Sequence, residues 1–157
     1  MLEQPSILIR EAHANDAPTI AQFNCDMAME TERLSLDKKT VDQGVLAVIE
    51  DPSHGFYLVA EEHNKVVGCL LVTYEWSDWR NGRMWWIQSV FVHHASRGRG
   101  VYKSLYQGVI NRAEQIGGIR TVRLYVEKEN HRAQSVYEKL GMHNSGYLVF
   151  ETDLTQD

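Results

Sequence analysis

The sequence predicts an α/β (α+β) fold: a mixed, mostly antiparallel sheet flanked by helices, in the order β-α-α-β-β-β-α-β-α-β. Three observations carry this. Residues 56–92 hold three strand-like runs separated by polar turns. The last run ends abruptly in a glycine-rich basic turn, after which apolar residues recur at helical spacing. That helix feeds a further strand, the βαβ pattern of a parallel pair.

In order, Ile7 to Arg10 reads as a first strand. Asn15 or Asp16 caps a helix that tolerates Pro18 in its first turn and carries Ile20, Phe23 and Met27 at helical spacing. Asp37 caps a second helix with Val41, Val45, Val48 and Ile49, and Asp51-Pro52 ends it. Phe56 to Glu61 and Val66 to Tyr74 form a hairpin about His63-Asn64-Lys65. After the polar stretch from Ser77 to Gly82, Met84 to Val92 is a strong apolar strand. Gly98 and Gly100 open a long helix with Val101, Leu105 and Val109 on one stripe and Tyr102, Tyr106 and Ile110 beside it. Gly117-Gly118 ends that helix. Thr121 to Val126 is a strand, Ala133 to Leu140 a short helix stopped by Gly141, and Tyr147 to Glu151 a last strand.

The chain has 157 residues, enough for a single domain over 1–157. With 43% hydrophobic and 24% charged residues it reads as globular. The formal net charge of -5 argues against a nucleic-acid partner, which needs a basic face. Cys25 and Cys69 make no disulfide framework and read as buried thiols. The N-terminal residues lack the pattern of a signal peptide, and no apolar run approaches the roughly 20 residues of a membrane span. The expectation is a cytoplasmic protein with no membrane partner.

The segment Val90-Phe91-Val92-His93-His94-Ala95-Ser96-Arg97-Gly98-Arg99-Gly100-Val101-Tyr102-Lys103 is the richest in chemistry. A strand ends, a basic glycine turn follows, and a helix starts. First-turn N–H groups lack helical partners and carry the positive end of the helix dipole, so such a turn suits an anion. Arg97, Arg99 and Lys103 add charge. The spacing is neither that of a P-loop nor of a dinucleotide fingerprint, whose third glycine is Lys103 here. His93-His94 lacks the spacing of a metal site, and no metal is expected.

Arg97-Gly98-Arg99-Gly100-Val101-Tyr102 resembles the Q/R-x-x-G-x-G/A signature of the GCN5-related N-acetyltransferases (GNAT family), with Tyr102 in place of the final Gly or Ala. Downstream, Asn130-His131-Arg132-Ala133-Gln134-Ser135-Val136-Tyr137-Glu138-Lys139-Leu140-Gly141-Met142 resembles that family's N-x-x-A-x-x-x-Y-x-x-x-G-F/M segment. The order of elements matches as well, so the resemblance spans nearly the whole chain. It implies transfer of an acetyl group from acetyl-CoA to a primary amine by direct attack in a ternary complex. It also implies that Val90, Phe91 and Val92 bind the pantetheine arm through their backbone, and that the turn from Arg97 through Gly98, Arg99, Gly100, Val101 and Tyr102 to Lys103 binds pyrophosphate. The Val90 N–H would polarise the thioester carbonyl. Asn130 would bond the cofactor arm, and Tyr137 would protonate the departing thiolate as general acid.

An acceptor amine with a pKa of about 10.4 is protonated at neutral pH, and freeing its lone pair costs roughly 4–5 kcal/mol. A base or an ordered water chain must take that proton. Glu30, Glu32, Glu75 and Asp78 are candidates, Glu30 and Glu75 foremost; Gln88, on the strand face of Val90 and Val92, orients a substrate at most. Trp76, Trp79, Trp85 and Trp86 suit a cation by ring-face attraction, and equally suit sheet core or a homodimer contact. The expected acceptor is a small-molecule or peptide amine, most readily a small cation. The competing reading is a module that binds acetyl-CoA without turnover.

Overall fold

The computed structural model describes residues 6–155 and divides the chain into two compact units, Met1–Tyr125 and Val126–Asp157. The first unit holds a five-stranded sheet in the order β1-β2-β3-β4-β5, with β1 Leu8–Glu11, β2 Phe56–Glu62, β3 Lys65–Ser77, β4 Gly82–Val92 and β5 Ile119–Leu124. Neighbours run antiparallel except β4 and β5, which are parallel. The helices α1 Ala17–Glu32, α2 Lys38–Glu50 and α3 Val101–Ile116 belong to the same unit.

Alternation along the strands splits the core in two. Phe56, Leu58 and Ala60 of β2 face one way, with Leu70 and Val72 of β3, Trp85 and Ile87 of β4, and the α3 stripe Val101, Leu105 and Val109. Tyr57 and Val59, with Cys69 and Phe91, face the other way onto Ile20, Ala21 and Phe23 of α1 and Val45 of α2. Burial pushes the Cys69 thiol up to about 12, so it is an inert packing residue. Gly68 lets α3 approach β3: a Cβ there would lie 3.1 Å from the Phe91 carbonyl oxygen and 3.2 Å from Val101 Cγ1.

Local chemistry sets the boundaries. Asp37 caps α2, its carboxylate accepting from Thr40 N at 3.0 Å. His63 and Asn64 both take positive φ, the two-residue hairpin geometry, in the β2–β3 turn. Asp16, buried ahead of α1, accepts from Arg10 Nη1 and Nη2 at 2.7 and 3.0 Å and from His13 N at 2.9 Å, while Arg10 Nε donates to Glu61 at 2.7 Å. This cluster pins β1 and β2 to the start of α1.

The second unit contains α4, His131–Lys139. The strand expected over Tyr147 to Glu151 is not formed. Residues 143–155 have irregular backbone, and Tyr147, Leu148 and Phe150 are 75%, 83% and 92% exposed. A strand exists only through bonds to a neighbour, and this segment has no ladder partner among the described residues. β5 also begins two residues earlier than its apolar pattern suggests, because Gly118 already pairs through its carbonyl with Arg83 N. Among the described residues no helix is long and apolar enough to cross a membrane.

Candidate active site

The site starts from an irregularity in β4. The register with β3 runs from Cys69↔Phe91 to Leu71↔Gln88, so Leu70 alone opposes both Ser89 and Val90. This is a β-bulge, with Ser89 at φ +52°. The extra residue reverses the alternation. Val90 packs on the same core face as Ile87, three residues earlier. Gln88 therefore does not share a face with Val90 and Val92, as simple alternation predicts; it donates to Thr73 Oγ1 at 2.7 Å on the opposite side of the sheet.

The second irregularity is a parting of strands. β4 pairs with β5 only from Arg83 to Ile87, while its pairing with β3 continues to Val92. Past Ile87 the β4 edge turned away from β3 has no strand partner among the described residues. Backbone groups of Val90, Phe91 and Val92 thus border a gap suited to an extended ligand.

The turn into α3 follows directly. Gly98 and Gly100 both sit at φ +79°, which disfavours any residue with a Cβ. A Cβ at either would meet no atom within 4 Å, so the space before the turn is open. No side chain caps α3; its first helical bond is Ser104 N to Gly100 O. The N–H groups of Val101 and Lys103 therefore have no helical partner. An uncapped helix start, open space and glycine backbone suit an anionic group such as a phosphate. Tyr102 is half-buried with its phenolic oxygen inside the protein, which accommodates a large residue at the signature's small position.

The cations of the turn have distinct partners. Arg97 donates through Nε to Val92 O at 2.8 Å and through its two terminal nitrogens to the Glu30 carboxylate, and it lies over the Phe91 ring. Arg99 donates to Glu62 at 2.7 Å; Glu62 is only 6% exposed, and its second oxygen has no hydrogen-bond partner among the described residues. Lys103 is exposed, and no ion pair holds it among the described residues. Sequence reasoning missed Glu62, and only its place at the end of an apolar strand hints at burial. It also missed Ser89, whose residue type gives no signal for positive φ.

The candidate bases separate. The hydrogen bond from Arg97, chiefly, holds the Glu30 carboxyl below its usual range. Glu75 accepts from Trp86 Nε1 at 3.3 Å and pairs with Arg123 at 3.4 Å; Trp86 in turn stacks on Tyr125, with centroids 4.6 Å apart. No hydrogen bond or ion pair joins Glu30 to Glu75 among the described residues. Glu32, Asp78, Trp76 and Trp79 are exposed, while Trp85 is core. In the second unit, Asn130 caps α4 by accepting from Ala133 N at 3.1 Å, leaving its amide N–H groups to donate elsewhere. Tyr137 is half-buried, and burial raises its phenol above the ordinary value.

The sequence profile of the acetyltransferase (GNAT) family matches residues 21–142. No curated protein matches the chain. Among solved structures, a possible acetyltransferase from Clostridium difficile 630 is 42% identical, with a TM-score of 0.90 over 96% of this chain and 99% of that one. A predicted acetyltransferase from Clostridium acetobutylicum, solved with acetyl-CoA, is 18% identical, with a TM-score of 0.74 over 93% and 96%. An aminoglycoside N-acetyltransferase in complex with CoA is 15% identical, with a TM-score of 0.77 over 99% of both chains. The last two similarities concern the fold alone.

Proposed function

The chain belongs to the acetyltransferase (GNAT) family and is an acyl-CoA-dependent N-acetyltransferase; from that premise we propose that it moves the acetyl group of acetyl-CoA to the primary amine of a small cationic acceptor, by direct attack in a ternary complex. The observation that carries this reading is the open β4 edge beside the uncapped glycine turn of α3. The two features are contiguous in sequence, so one extended ligand with an anionic end can use both.

On this reading Val90, Phe91 and Val92 hold the pantetheine arm by backbone bonds, and Asn130 donates to it. The turn from Arg97 to Lys103 takes the pyrophosphate through its N–H groups. Arg97 and Arg99, tied to Glu30 and Glu62, keep the turn in shape, and Lys103 supplies charge. The Val90 N–H, displaced by the bulge, stabilises negative charge building on the thioester oxygen. A carboxylate first takes the ammonium proton. The amine nitrogen then bonds to the carbonyl carbon, the carbon–sulfur bond breaks, and Tyr137 gives its proton to the thiolate. The proton that nitrogen sheds on becoming an amide restores the phenol by way of solvent. Glu30 and Glu75 are the candidates, and the hydrogen bond from Arg97 makes Glu30 a weak base. The face bearing Glu75, Trp86 and Tyr125 already carries Arg123, over the Trp86 ring and paired with Glu75, so a cationic acceptor there would share that carboxylate with it.

The test is thiol release from acetyl-CoA across a panel of amines. Release with di- and polyamines exceeding that with anionic amines supports the proposal. Best rates with neutral or anionic amines would refute the cationic acceptor, and binding of acetyl-CoA without release under any amine would favour a non-catalytic module.

A further inference from the structure

Glu30 stands apart from the other carboxylates because the glycine turn itself holds it. It follows Phe23 by seven residues and so lies on the same face of α1. Phe23 packs on Phe91 of β4, with ring centroids 5.0 Å apart. The Arg97 guanidinium sits 5.5 Å from the centroid of that same Phe91 ring. From there both of its terminal nitrogens reach the Glu30 carboxylate, Nη2 at 2.9 Å, while Nε donates to the Val92 carbonyl at 2.8 Å. These contacts close a ring that runs from α1 through β4 to the turn and back to α1.

The Val92 contact lies where a ligand would bind. His93 N donates to Val67 O on β3, so by alternation the backbone groups of Val92 point to the open side of β4. Arg97 therefore grips that open edge, one residue ahead of Gly98.

We propose that Glu30 serves acetyl transfer through Arg97 and not as its base: it is a positioning residue that holds the Arg97 fork, and with it the spacing between the β4 edge and the glycine turn. The inference rests on the reading of that edge and turn as the acyl-CoA seat. A guanidinium is planar and donates in fixed directions, so a carboxylate on its two terminal nitrogens also fixes where Nε points. Glu30 offsets the charge of Arg97, which leaves this arginine a strut and not a phosphate ligand. The same fork holds the Glu30 carboxyl below its usual range, the wrong direction for a group that must accept a proton from an ammonium.

The experiment is calorimetric titration of CoA, with no amine present, into the full chain and four variants. No proton is transferred in that binary complex, so a base has no part in it. Glu30→Gln should weaken CoA about threefold. Arg97→Gln should weaken it as well, and the double variant should be no weaker than Arg97→Gln alone, because the effect of Glu30 runs through Arg97. Arg97→Lys keeps the charge without the fork and should also bind CoA more weakly than wild type; it decides the matter if Glu30→Gln fails to fold. A Glu30→Gln variant that melts earlier but binds CoA as wild type does would overturn the proposal, since the pair would then serve stability alone. Tighter binding by Glu30→Gln would overturn it too, by showing that Glu30 competes with phosphate for Arg97. Additive single effects, or wild-type affinity in Arg97→Lys, would do the same. A wild type with no affinity for CoA would overturn the reading of the seat along with it.

Discussion

Asp16 illustrates how much one carboxylate can organise. Burial alone would raise its pKa, but bonds from Arg10 and the His13 N–H outweigh that and lower it below 3.8. Asp16→Asn should therefore lower stability at pH 7 by about 1.5–3 kcal/mol, read from the urea midpoint. A carboxyl with a depressed folded pKa stabilises above its unfolded pKa and ceases to as pH falls through the folded one, so the gap between variant and wild type should close below about pH 4. Tyr137 is the opposite case, a phenol raised by burial. Tyr137→Phe should leave acetyl-CoA affinity intact and lower kcat. Because the acid must be protonated, the alkaline limb of wild-type kcat should lie above pH 10, beyond an unperturbed tyrosine; turnover of Tyr137→Phe equal to wild type across pH 6 to 9 would reduce Tyr137 to packing. At this scale the sequence displayed residue types but not partners. Arg97, Arg99 and Glu30 are conspicuous as charges, yet nothing local says that Glu30, 67 positions away, meets Arg97. Glu62 looked like an ordinary strand end and proved to be buried.

At the scale of elements, the interiors of helices and strands were legible because the 3.6 and 2.0 periodicities report which face is covered. The breaks in period were not. The Ser89 bulge depends on how β4 meets β3, a non-local fact, and it turned Gln88 to the face opposite Val90. Its strain is testable: Ser89→Gly should stabilise the fold by about 1 kcal/mol, since glycine takes positive φ freely, and Ser89→Val should destabilise it, both measured by thermal melting. Unchanged melting in both would mean that the positive φ stores no strain. The close approach at Gly68 makes a companion prediction. Gly68→Val, which sets a side chain between β3 and α3, should cost about 1–3 kcal/mol in urea. The missing last strand has the same origin as the bulge. Apolar pattern marks a segment able to pair, and only a neighbour makes it a strand.

For the whole molecule, chain order brings the functional parts together. β4 parts from β5 after Ile87, bulges at Ser89, and runs through Val92 into the glycine turn and α3. On the proposed reading, a ligand that follows β4 from the bulge reaches the first turn of α3. The basic glycine turn was visible in the sequence, whereas the bulge and the parting of β4 from β5 needed the sheet register. The central claim is that this turn seats the anionic end of an acyl-CoA, and calorimetric titration of acetyl-CoA into three proteins tests it most directly. Wild type and Gly100→Asn, whose side chain tolerates positive φ and carries no charge, should bind with similar affinity. Gly100→Asp, nearly the same in shape but negative, should bind at least about tenfold more weakly. Equal affinity in Gly100→Asp and wild type would contradict the account.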